Sequence, residues 1–120
     1  MLAGGGIGSL TRYLLGRAIS QRFPNIQFFS LGTFAINVTG SLLIGLLMTL
    51  LVERWKVSYS LLHPLLVVGF LGGYTTFSSF EYDGYLSVRG GHYLLAGLYM
   101  VGSVVAGFGA VCLGVWLARK

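Results

Sequence analysis

Between positions 72 and 80 the chain reads GGYTTFSSF, an unusual cluster of glycines, hydroxyls and phenylalanines inside an apolar stretch. Glycines at 72 and 73 allow the backbone to leave helical geometry. A helix interrupted there exposes carbonyls that can coordinate a small cation. Phe77 and Phe80, three residues apart, share one face of the half-helix that follows. Phenyl ring edges are electropositive, and Thr76, Ser78 and Ser79 place hydroxyl donors beside them. Such a set, without full positive charge, suits a small dehydrated anion that must bind and still leave.

In LGTFAINVTGSLLIG, Thr33, Asn37 and Ser41 recur every four residues and lie along one helix face. Burying the Asn37 amide without a partner would cost roughly 2–7 kcal/mol, so this face does not meet lipid. Interhelical hydrogen bonding and a conduction pathway are the two roles open to it. Tyr99 and Ser103 share a face of the last apolar segment, where they either extend a polar track or bond to neighbouring helices. Gly102, Ala106, Ala110 and Gly114, again at four-residue spacing, form a small stripe that lets another backbone approach. Cys112 is the only cysteine and reads as a small packing residue. No acid/base pair, nucleophile with base or metal-ligand cluster stands out, so the residues point away from an enzyme.

The elements that must position these residues follow from composition. With 120 residues, 55% of them hydrophobic and 9% charged, and a mean hydropathy of +0.80, the chain belongs in a bilayer. Uncharged windows at Phe23–Val52, Val57–Phe80 and Gly90–Ala118 are each long enough for a crossing. A fourth segment, interrupted by Arg12 and Arg17, precedes them. The expectation is one all-α membrane domain over 1–120 with four transmembrane helices, at about 2–20, 31–52, 61–86 and 93–117. The third is expected to break in mid-membrane at 72–76. RFPN at 22–25, ERWK at 53–56 and VRGG at 88–91 punctuate the spans. Trp55, Tyr59, Tyr93 and Trp116 fall near span ends, as an interfacial aromatic belt requires. The opening MLAGGGIGSLTRY lacks the basic start of a signal peptide and is kept as structure.

The net charge of +5 is scattered singly, which anchors helix ends and offers nucleic acid no basic stripe. Arg54, Lys56, Arg119 and Lys120 fall on one side; Arg17, Arg22 and Arg89, with or without Arg12, fall on the other. With so little bias, insertion has almost no preferred orientation. Either this balance is chance in a small protein, or both orientations coexist and pair as an antiparallel two-fold dimer.

GGGIGSLTRY, GTFAINVTGSLLIG and GFLGGYTTFSSF together resemble the Fluc/CrcB fluoride channels, and the resemblance covers the whole chain. It implies a fluoride-selective ion channel that exports cytoplasmic fluoride, in the cell membrane of a bacterium or archaeon. It further implies an antiparallel dual-topology homodimer with two pores, and a structural sodium at the dimer interface on backbone carbonyls of Gly72 and Thr75. Fluoride would pass Asn37, Phe77 and Phe80, and Arg12 would match an arginine of the aqueous vestibule, although a snorkelling helix-end arginine is its plainer reading. The chain departs from the family in having Ser79 for a threonine, Asp83 in the place of a glutamate with Glu81 added, and Gly107 and Val111 where hydroxyls are common. Its first helix is expected to be several residues shorter than family members usually show. Two rival classes are a small dual-topology drug or cation exporter, disfavoured by the missing membrane carboxylates, and a non-transporting membrane assembly subunit.

Overall fold

The computed structural model describes residues 1–24 and 30–120, and its regular elements there are helices. Asn25 of the expected stop at 22–25, and positions 25–29 of the first apolar window, lie outside the described residues. Helix α1 spans Leu2–Arg22, α2 spans Leu31–Glu53 and α6 spans Tyr93–Arg119. Between α2 and α6, a 3-10 turn (Lys56–Ser58), α3 (Tyr59–Leu62), a π-helical stretch (His63–Leu71) and α4 (Gly72–Tyr74) form one continuous rod. Helix α5 (Phe77–Arg89) follows after two extended residues. Among the described residues, α2, the Tyr59–Arg89 segment and α6 are long and apolar enough to cross a hydrocarbon core. Large apolar side chains such as Leu94, Leu98, Val101 and Phe108 face outward from α6. A helix apolar on all sides is the mark of a membrane span, and the chain is a multi-pass membrane protein.

Small residues set how closely the helices meet. A Cβ on Gly45 would strike Val111 O, and one on Gly114 would strike Leu42 O, so α2 and α6 touch backbone to backbone. Only part of the expected small stripe is used this way, because Gly102 faces open space. The closest approach needs a small residue on both helices, and Gly45 supplies it opposite Gly114. Cys112 is exposed instead of packed, since it sits about 100° around α6 from Val111, which meets α2. At the ends of the pair, Arg119 Nε and Nη2 donate to Glu53 Oε1 at 3.1 and 3.0 Å.

Helix α1 lies against the third segment, with Gly4 at Leu65 O and Gly8 at Phe70 O. Numbers rise together along that contact, so the two run parallel. Helix α2 meets Thr76 through Asn37 and Asp83 through Thr33, and so runs antiparallel to the third segment. A buried cluster of Ile36, Leu71 and Tyr74, with Leu43, Leu47 and Phe70 around it, sits beside the interruption.

The interruption itself is narrower than the sequence suggested. Gly72 keeps helical angles (φ −62°, ψ −37°), and Gly73 lies within α4. The backbone leaves the helix at Thr75 (φ −80°, ψ 160°) and Thr76 (φ −151°, ψ 117°), an extended conformation that β-branched residues favour. Gly73 serves packing instead, because a Cβ there would meet Gly5 O of α1 at 2.5 Å.

Candidate functional site

Thr75 ends one helix and Thr76 starts the next. Thr75 Oγ1 donates to Leu71 O at 2.9 Å, folding its hydroxyl back onto the upstream helix. Thr76 caps α5, its Oγ1 accepting the Ser79 N–H at 3.2 Å and donating to Ser79 Oγ at 3.0 Å. Asn37 reads the same residue from α2: Nδ2 donates to Thr76 O at 3.0 Å and Oδ1 accepts the Thr76 N–H at 2.9 Å. Both polar groups of the non-helical Thr76 are thereby satisfied, which is the condition for irregular backbone to persist away from water. Of the two roles open to Asn37, it fills the interhelical one while also facing a cavity.

Two cavities meet at this point. The larger, about 410 Å³, is lined by Asn37, Ser41, Gly72, Thr75, Phe77, Phe80 and Ser103, among others. The smaller, about 310 Å³, extends from Arg17, Ser20 and Ser30 to Arg12, Thr33 and Ser79. Thr76 stands in the wall of both. Phe77 is 74% exposed, whereas Phe80 is 7% exposed, held between Phe77 (centroids 5.9 Å) and Tyr99 (5.3 Å). Both ring pairs are tilted, by 45° and 42°, which turns ring edges toward neighbours.

The expected hydroxyl face of α6 divides. Ser103 Oγ is buried at the larger cavity without a hydrogen-bond partner among the described residues. Tyr99 lines neither cavity; its hydroxyl donates to Asp83 Oδ2 of α5 at 3.5 Å. Ser78 is exposed and also lines neither cavity, since it points about 100° away from both Phe77 and Ser79. Arg12 sits halfway along α1 and not at its end, and its Nη1 donates to Thr75 O at 3.3 Å.

Sequence reasoning missed one network. Ser30 Oγ donates to Thr33 Oγ1 at 2.8 Å, and Thr33 Oγ1 donates to Asp83 Oδ2 at 3.0 Å. Asp83, which stands where the family has a glutamate, is therefore partnered by the hydroxyls of Thr33 and Tyr99, and Thr33 lines the smaller cavity. A signal was available: Thr33 lies one turn before Asn37 and Asp83 two turns after Thr76. Antiparallel pairing at Asn37 and Thr76 carries the first pair together.

The carbonyls given to sodium can be tested against this geometry. The Thr76 N–H, which an unbroken helix would direct to Gly72 O, donates to Asn37 instead, releasing the Gly72 carbonyl from its helical partner. The Thr75 carbonyl accepts the Arg12 guanidinium, so it already attracts a cation, and a carbonyl has a second lone pair. Two such oxygens fit a hard cation as part of a coordination shell.

A family model described as CrcB-like protein, Camphor Resistance (CrcB), matches residues 1–115. The chain belongs to the CrcB family. A relative from Solibacter usitatus, called fluoride-specific ion channel FluC, is 50% identical across 98% of this chain and 93% of its own length. Relatives of the same name from Gloeothece citriformis and Hydrogenobaculum sp. are 43% and 46% identical. Each alignment covers 98% of this chain, and 92% and 93% of the respective relative. The CrcB match includes α1 to α5, the interruption and both cavities.

Proposed function

We propose that this CrcB-family chain is a fluoride-selective channel, not an enzyme, through which cytoplasmic fluoride leaves the cell across the cell membrane. One observation carries the reading: a broken helix whose capping residue, Thr76, stands between a cleft lined by two arginines and a cavity lined by an amide, hydroxyls and two phenyl rings. Asn37 Nδ2 bears two hydrogens and gives one to Thr76 O, leaving the second for an anion. The orphan Ser103 hydroxyl and the edges of Phe77 and Phe80 complete a weakly polar surface. Groups of this kind replace part of a hydration shell without the full charge that would hold the ion. Arg12 and Arg17 draw anions into the smaller cleft by charge.

Sixteen residues precede Thr75 in the crossing segment and thirteen follow Thr76, so the interruption belongs near the bilayer midplane. The working form is an antiparallel dual-topology homodimer. Its support is the exposed Phe77 ring, the open space in front of Gly72 and the balanced basic residues, all of which a second inverted copy accommodates. Gly72 and Thr75 would hold a structural sodium ion through main-chain oxygens, two from each copy. Such an ion would supply fixed positive charge at the centre of the dimer.

The test is ion efflux from liposomes containing the purified protein. Fluoride should leave far faster than chloride. Equal rates for both anions, or none for either, would overturn the reading, and proton-coupled uptake of a cationic dye would favour an exporter.

A further inference from the structure

Tyr74 is the last helical residue before the interruption, and neither it nor Thr39 lines either cavity. The tyrosine ring is buried, stacked on Phe70 with centroids 5.7 Å apart, and packed in the cluster with Ile36 and Leu71. Its hydroxyl lies 2.8 Å from Thr39 Oγ1 on α2. Thr39 has one hydroxyl hydrogen and directs it to its own helix, 2.7 Å from Ala35 O and 3.1 Å from Ile36 O. The hydrogen in the Tyr74–Thr39 contact therefore comes from the tyrosine.

Helix α2 thus holds three consecutive residues of the third segment. Tyr74 is held by the Thr39 hydroxyl, Thr75 by the seat of its methyl group on Gly40, and Thr76 by the Asn37 amide. Asn37 alone pins only the downstream side. Packing on α1 and the Arg12 bond to the Thr75 carbonyl limit the upstream side as well, but the Tyr74 hydroxyl adds a directional hydrogen bond from that side to α2, and without it the upstream helix has more room to turn about the extended Thr75 linkage. From this geometry we infer that the Tyr74 hydroxyl is a positioning group for the conduction path. It fixes the upstream helix against α2, and so sets where the Thr75 carbonyl and Phe77 stand at the larger cavity. The inference rests on the channel reading for its consequence and on the hydrogen bonds for its cause.

The direction of donation makes the two partners unequal. Removing the tyrosine hydroxyl leaves Thr39 still bonded to Ala35 O, with no donor stranded. Removing the threonine hydroxyl strands a tyrosine O–H beside the buried cluster, the costlier loss. Thr39→Val should therefore be worse than Tyr74→Phe, and the double variant should recover toward Tyr74→Phe. Thr39→Ser, which keeps the acceptor, should behave as wild type.

Two readouts on the full-length protein in lipid test this. Fluoride efflux per folded protein should fall about two- to tenfold in Tyr74→Phe, the range one net hydrogen bond provides. Amide hydrogen exchange at Thr75 and Thr76 should accelerate by a similar factor, with α6 unchanged. Wild-type exchange in Tyr74→Phe, a double variant no better than Thr39→Val, or faster exchange with unchanged efflux would each overturn the inference. If the wild type moves no fluoride, the channel reading falls, while exchange still decides whether Tyr74 positions the break.

Discussion

Phe80 is a residue at which ring chemistry and bulk can be separated. It is nearly buried between Phe77 and Tyr99, so Phe80→Ile retains an apolar side chain in the same space but loses the electropositive edge. The variant should fold and assemble, while fluoride efflux drops at least about tenfold, a loss corresponding to roughly 1.4 kcal/mol in the barrier. Asn37→Asp tests the opposite wall of the same cavity. It removes the donor to Thr76 O and, when ionised, places negative charge where an anion must pass. Efflux should fall by more than in Phe80→Ile, and thermal unfolding should shift down as well, because the Thr76 carbonyl loses its partner. Wild-type efflux from both variants would move the pathway away from the GGYTTFSSF break.

At the scale of elements, glycine positions govern which helices can approach. Gly114→Leu and Gly45→Leu insert side chains where α2 and α6 already touch through backbone, and no flexible group can yield there. Each should destabilise the fold by several kcal/mol, on the order of the larger overpacking penalties, and reduce the yield of folded protein in detergent. Gly73→Val should separate α1 from the third segment in the same way, since Gly5 O occupies the space. Gly72→Val differs, because among the described residues nothing beyond its own helix lies within 4 Å of that Cβ position. A single chain should accept it, and its damage should appear in assembly of the dimer. Crosslinking yield and thermal stability measured together would separate these outcomes; equal loss of stability in Gly72→Val and Gly114→Leu would contradict the packing described here.

For the whole molecule the open question is orientation. Ser58 lies exposed in the 3-10 turn after α2, and the exposed native thiol must first be removed. A cysteine at Ser58 in a Cys112→Ser background should be labelled from both sides of the membrane in comparable amounts. Labelling from one side alone would exclude the antiparallel dimer. Several lysines added to one set of loops should force one orientation and abolish efflux, which coexpression of the opposite design should restore.

That the chain is helical and crosses a membrane more than once is legible in its composition, because a backbone in lipid must satisfy its hydrogen bonds within each span. Family membership was legible too, in motifs at Arg12, Asn37 and Phe77 that lie within the matched residues. The exact seat of the interruption was not. Glycines at 72 and 73 advertised flexibility, yet one keeps helical angles and the other is committed to α1, while threonines that favour extended backbone carry the break. Nor did spacing within α6 show that Tyr99 turns to Asp83 while Ser103 turns to the cavity. The bonds of Thr33 to Asp83, Asn37 to Thr76 and Tyr74 to Thr39 each join segments 35 or more residues apart. Such pairs depend on the register of one helix against another, which close glycine contacts between helices set and local periodicity does not contain.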